Sequence, residues 1–134
     1  MVNKNKKGYQ NIKLTSSTVD GVLIIAIGAQ CEKESVFGNT ELDTENVALF
    51  ETYMHKQIAH SHIKFIVDLT NITNIYSYGM SIFFNFFKNI QLRGGDFKLF
   101  NPSPTLMQTF DALHVSTIFE IHTNLAKAVA SFKK

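Results

Sequence analysis

The chain has 134 residues, 45% of them hydrophobic, with a formal net charge of +2. That is the length and composition of one globular domain able to bury roughly two-thirds of its unfolded surface. The small basic excess, much of it from Lys4, Lys6 and Lys7, interleaves with no aromatic stripe and argues against nucleic-acid binding.

Residues 1–8 read as a flexible lead-in, with the folded domain over 9–134. Cys31 stands alone, so neither an internal disulfide nor a cysteine metal site is expected, which fits a reducing cytosol. No apolar run approaches the ~20 residues of a membrane span, and the first residues lack the apolar segment of a secretory leader. These features predict a cytoplasmic protein without direct membrane insertion.

In chain order, Tyr9 to Thr18 alternates apolar and polar residues, with Ile12 and Leu14 on one face, and predicts a half-buried strand. Asp20-Gly21 is a hairpin turn, and Val22 to Ile27 a buried strand that pairs back. Gly28 to Asp43 reads as a long irregular loop. Asp43 or Thr44 is placed to cap a helix running to about Ala59, with Val47, Phe50, Met54 and Ile58 at core spacing. Ile63–Leu69 predicts a strand, and Thr70 to Asn74 a polar loop. A helix from about Gly79 to Arg93 follows, stopped by Gly94-Gly95. Phe97–Phe100 predicts a strand, Thr105 to about Leu113 a helix, and Thr117–Ile121 a last strand. Thr123 or Asn124 caps a closing helix with Leu125, Val129 and Phe132 on one side. The order β-β-α-β-α-β-α-β-α implies an α/β domain: a mixed, mostly parallel sheet with an N-terminal antiparallel hairpin and about four helices.

The helix after Ser77 carries two apolar stripes. Met80, Phe83, Phe84, Phe87 and Ile90 fall within an arc of roughly 120° and form the expected core face. Tyr78, Ile82 and Phe86 stack beside them at i, i+4, i+8. This second stripe is either covered by a neighbour, with the helix at Thr105 the candidate, or offered to a partner protein.

Ser77 lies where a loop enters this helix, beside free N–H groups and the positive end of the helix dipole. Such a serine can cap the helix, contact a ligand or accept a phosphate. Asp68 ends the preceding strand and is expected to support the loop. One carboxylate without an acid–base partner is weak ground for catalysis. The five histidines, His55, His60, His62, His114 and His122, have no acidic or cysteine cluster to complete a metal shell. No nucleophile elbow, phosphate loop or dinucleotide fingerprint is present. No cofactor, metal or enzymatic activity is expected.

The run Phe65-Ile66-Val67-Asp68-Leu69-Thr70, then Ile75-Tyr76-Ser77-Tyr78-Gly79-Met80, Leu92-Arg93-Gly94-Gly95 and Phe97-Lys98-Leu99-Phe100-Asn101-Pro102-Ser103-Pro104, resembles the STAS domain family. Within it, the chain looks most like stand-alone bacterial anti-sigma factor antagonists. The resemblance spans about residues 9–132 and is most specific from 65 to 121. It implies partner switching. The unmodified protein would bind an anti-sigma factor that is itself a serine kinase, phosphorylation of the loop serine would release it, and a serine phosphatase would reset the cycle. The matching phosphoacceptor is Ser77, and the implied partner-binding set is Tyr76, Ser77, Tyr78, Gly79, Met80, Ile82 and Phe86. The acidic residue that the family places before the serine is Tyr76 here, and the following hydroxyl residue is Tyr78. Those aromatics also suit a non-switching STAS adaptor in a transporter, secretion or signalling assembly. A small-molecule or nucleotide sensor is a third reading.

Overall fold

The computed structural model describes residues 12–30 and 37–133. The expected tail over 1–8, Tyr9, Cys31 and the centre of the 28–43 loop lie outside the described residues.

The first hairpin forms as the sequence requires. Strand β1 (Ile12–Val19) and strand β2 (Val22–Gln30) pair antiparallel, from Val19 opposite Val22 to Ile12 opposite Ala29. Asp20 and Gly21 have φ of 52° and 80°, the two left-handed residues of a type I′ turn, whose twist matches that of the strands it joins.

Residues 28–43 are not one irregular loop. Strand β2 runs on to Gln30, β3 (Phe37–Gly38) pairs with its end, and β4 (Thr40–Leu42) begins a second sheet. Helix α1 (Val47–Ala59) follows, burying Val47, Phe50, Met54 and Ile58. Neither Asp43 nor Thr44 is its N-cap residue, which is Asn46. Asp43 works one turn earlier. Its Oδ1 accepts the N–H groups of Asn46 at 2.8 Å and Glu45 at 3.0 Å, while Asn46 Oδ1 accepts the Asp43 N–H at 2.9 Å.

Strand β5 (Lys64–Asp68) is followed by β6 (Ile72–Ile75), helix α2 (Ser77–Leu92), β7 (Asp96–Phe100), helix α3 (Pro104–Ala112), β8 (Ile121–His122) and helix α4 (Leu125–Ala130). Strand β6 lies in the segment expected to be a polar loop. The expected strand over 117–121 is shifted: a 3-10 turn occupies Val115–Thr117, and only Ile121–His122 pair with β7. Helix α2 ends in a Schellman motif, with Gly95 N–H to Ile90 C=O and Gly94 N–H to Gln91 C=O, both 3.0 Å. Ser103 caps α3 through Leu106 N–H at 3.1 Å, and Asn124 caps α4 through Lys127 N–H at 2.9 Å.

The main sheet has the order β1-β2-β5-β7-β8, parallel beyond the first hairpin, with β3 beside β2. The smaller sheet pairs β4 with β6 in parallel. Alternate strand residues serve opposite faces. Phe65, Val67, Phe97 and Leu99 join α1, α2 and α3 in the larger core, whereas Val22, Ile24 and Ile66 meet Ala128 and Val129 of α4.

Lys98 lies on the α4 side and is only 3% exposed. Its ammonium donates to Ser131 Oγ at 2.6 Å, pairs with Glu120 at 2.9 Å and sits 4.4 Å from the Phe132 ring centroid. A buried cation needs such partners to offset desolvation. Glu120 also meets His122 Nε2 at 2.7 Å, and His122 first, then Lys98, hold its carboxyl well below 4.5, at about 2. A depressed carboxyl stabilises the fold above its unfolded pKa, and that stability is lost as pH falls from 4.5 toward 2. Glu120→Gln is therefore expected to lower the melting temperature at neutral pH and to flatten the acid limb of the melting curve below pH ~4.5. Calorimetry across pH checks this, and equal acid limbs for both proteins would refute it.

Candidate functional site at the start of helix α2

The site begins with how α2 is held. Tyr76 N–H donates to Leu42 C=O of β4 at 3.0 Å, and Tyr76 C=O accepts the Met80 N–H at 3.0 Å. Tyr76 is thus the residue at which the β4–β6 sheet hands the chain to the helix. Thr73 Oγ1 donates to Thr40 C=O at 3.2 Å, and Asn46 Nδ2 donates to Glu41 C=O at 2.8 Å. These bonds fix β4 from both sides.

Gly79 lets the helix start close to the sheet. A Cβ at this position would lie 2.9 Å from Ile75 Cγ2 and 3.6 Å from Leu42 C=O. Ile75 is buried and has little room to yield.

Ser77 is the first residue of α2, not its N-cap. The N-cap is Tyr76, in extended conformation (φ −78°, ψ 166°), and no side chain caps the helix. The capping role open to Ser77 on sequence grounds is therefore not realised. Its side chain is exposed and makes no hydrogen bond among the described residues. Ser81, one turn on, is different: its hydroxyl donates to Tyr78 C=O at 2.7 Å. The first turn of α2 contains no acidic residue, so its free N–H groups face no competing carboxylate from the helix itself.

Tyr76 and Tyr78 flank the serine at 42% and 47% exposure. The Tyr76 hydroxyl donates to Glu41 Oε1 at 2.6 Å. That bond, and the Glu41 charge, raise the phenol above its ordinary value of 10.0. A carboxylate therefore stands beside the serine loop although the residue before Ser77 is a tyrosine. It arrives from β4, in a segment that the sequence presented as irregular. The signal available was the Thr40-Glu41-Leu42 alternation, too short to separate from loop.

The second stripe of α2 divides. Tyr78 is exposed, while Ile82 and Phe86 are buried at 5% and 4%. The cover of Phe86 is α1: its ring lies 6.1 Å from the Phe50 ring and 5.0 Å from the His55 ring. The core face shifts accordingly. Phe84 and Phe87, expected within it, are half-buried and cover Phe119, with ring centroids 5.6 and 4.9 Å away. Of the seven expected partner-binding residues, Gly79, Met80, Ile82 and Phe86 are buried, and Tyr76, Ser77 and Tyr78 face solvent.

Asp68 Oδ1 accepts both the Thr70 N–H at 3.0 Å and the Thr70 hydroxyl at 2.6 Å, and Asn101 Nδ2 donates to Thr70 Oγ1 at 2.9 Å. The carboxylate is occupied in the β5–β6 turn and makes no hydrogen bond with Ser77 among the described residues. No three metal-ligating side chains gather among the described residues. No helix of the described residues is long and apolar enough to cross a membrane.

A family model for the STAS domain matches residues 36–128. The chain belongs to the STAS domain family. No curated protein matches it in sequence. Among solved structures, it is similar to a putative anti-sigma factor antagonist from Thermotoga maritima, at 20% identity over 90% of this chain and 95% of that one, with a TM-score of 0.75. It is also similar to the anti-sigma factor antagonist SpoIIAA in its unphosphorylated form, at 17% identity over 90% and 96% of the two chains, with a TM-score of 0.69. A sulfate transporter family protein from Wolinella succinogenes shares the fold at 19% identity, over 87% of this chain and 88% of that one, with a TM-score of 0.63.

Two outcomes test the local geometry. Gly79→Ala gains up to ~1 kcal/mol of helix propensity but overpacks Ile75 at a cost of ~1–3 kcal/mol. A net loss of about 1 kcal/mol, a drop of roughly 4 °C in Tm, is expected by calorimetry. Glu41→Gln removes the charge that raises the Tyr76 phenol, so its ionisation midpoint should fall, as read from the tyrosine ring signals in an NMR titration. An unchanged midpoint would show that the Glu41 contact does not persist in solution.

Proposed function

We propose that this STAS domain is an anti-sigma factor antagonist-like signalling protein of the cytoplasm, a binding protein and not an enzyme. It docks on an anti-sigma factor that is also a serine kinase, through the surface around Ser77. The observation that carries this reading is the state of that hydroxyl: exposed, without a hydrogen-bond partner among the described residues, at the first position of α2 and between exposed Tyr76 and Tyr78. Gly79, Met80, Ile82 and Phe86 support the surface from below.

In the switch, Ser77 Oγ attacks the γ-phosphorus of the kinase's ATP. The Oγ–P bond forms, the bond to the ADP oxygen breaks, and the hydroxyl proton passes to a base on the kinase. The product carries about −1.5 to −2 charge at neutral pH. The N-terminus of α2 tolerates that charge, so the domain stays folded. The docked surface does not, because a dianion enclosed between tyrosine rings and an apolar partner lacks counter-charge. A penalty of ~4 kcal/mol weakens binding about a thousandfold. A serine phosphatase then restores the hydroxyl. Ser81, bonded to Tyr78 C=O, is the poorer acceptor.

The non-switching adaptor remains the second reading, favoured by the Glu41–Tyr76 contact, which ties an aromatic neighbour of Ser77 to the domain itself. One experiment separates them. The partner kinase is recovered by pull-down and incubated with the protein and ATP, and intact mass is recorded. The switch predicts one added phosphate, none in Ser77→Ala, and at least a hundredfold weaker partner binding by Ser77→Asp. No phosphate on the wild type together with undiminished binding by Ser77→Asp would leave the adaptor standing.

A further inference from the structure

The free edge of the main sheet carries an inference independent of Ser77. In a two-residue hairpin the positions flanking the turn form a hydrogen-bonded pair, and such pairs alternate along the strands. Val19 opposite Val22 therefore fixes the parity. Lys13, Thr15, Ser17 and Val19 direct their backbone groups to β2, and Ile12, Leu14, Ser16 and Thr18 direct theirs outward. Strand β1 ends the sheet order, and these outward groups have no partner among the described residues.

Exposed edges normally carry a device against pairing: a proline, a bulge, several charges or very short length. The opposite edge, β8, has only two residues. Strand β1 has eight, with continuous register, no proline and Lys13 as its only charge.

We propose that β1 is a self-association edge that pairs antiparallel with β1 of a second copy of this chain, about a twofold axis at Thr15. This register alone engages all four outward residues of the described strand on each side, setting Ile12 against the partner copy's Thr18 and Leu14 against its Ser16. Lys13 then faces a serine, and the two lysines stand four residues apart along the strands, ~13 Å, beyond the Debye length of ~8–10 Å. The side chains fit as well. Leu14 and Tyr53 are the partly buried members of the core at this edge, and the Tyr53 hydroxyl donates to Ser16 Oγ at 2.7 Å. With Leu14 opposite the partner copy's Ser16, each Leu14 comes beside the partner copy's Tyr53. These exposed apolar surfaces, one pair per copy, then cover each other over the axis.

Amide exchange of the full chain, followed residue by residue by NMR, tests the proposal. The N–H groups of Lys13, Thr15, Ser17 and Val19 are expected to be protected at every concentration. Those of Leu14, Ser16 and Thr18 are expected to exchange freely at ~10 µM and at least about tenfold more slowly at ~1 mM. Thr18→Pro removes an outward N–H without touching the β1–β2 bonds, so it should remain folded by circular dichroism and sediment as a monomer where the wild type dimerises. The wild-type exchange pattern stands on its own if that variant misfolds. A monomer up to ~1 mM with concentration-independent outward amides overturns the proposal. So does a dimer that persists in folded Thr18→Pro.

Discussion

The hydrogen bond from Tyr76 N–H to Leu42 C=O governs the geometry of the serine loop. It ties the last residue before α2 to a strand more than thirty positions earlier in the sequence, and everything near Ser77 follows from that tie. The helix can begin there only because Gly79 leaves space beside Ile75 and Leu42. Glu41 reaches the Tyr76 hydroxyl only because β4 runs parallel to β6. Asn46, buried beneath, holds Glu41 C=O and starts α1 in the same few ångströms. A small second sheet, not the main one, therefore sets the direction in which the serine points.

Periodic and punctuated segments were legible from sequence because their causes are local. The Asp20-Gly21 turn needs two left-handed residues, and the stop at Gly94-Gly95 needs one, with Gly95 so close to Ile63 that no side chain fits. The 3.6-residue rhythm of α1 and α2 comes from one face meeting the sheet. Strands β3, β4 and β6 were not legible. They are two to four residues long, too short for alternation to register, and their pairing is fixed by tertiary contacts. The shift of the last strand from 117–121 to Ile121–His122 has a similar origin, since Val115 is buried in the core and Phe119 packs against Phe84 and Phe87 of α2 and Phe97 of β7.

At the candidate site, sequence and structure contributed different things. The motif pointed to Ser77 and its neighbours. Only the fold shows that the serine caps nothing, that Tyr76 answers to Glu41, and that Phe86 of the second stripe is spent on Phe50 and His55 of α1. An amphipathic pattern says how many faces a helix must cover, but not who covers them. The exposed surface at the start of α2 is consequently smaller and more aromatic than the hydrophobic count of α2 suggests.

Lys98 has a consequence of another kind. Its charged side chain is buried beside the apolar cluster of Val22, Ile24, Ile66, Ala128 and Val129 under α4, held by Ser131, Glu120 and Phe132 on the face away from α1, α2 and α3. The sheet thus has a front that carries α2 with Ser77 and a back that carries α4. A fluorophore, an affinity handle or a tether grafted behind Phe132 would sit on that back, leaving the tyrosine-framed serine unobstructed for immobilised binding measurements.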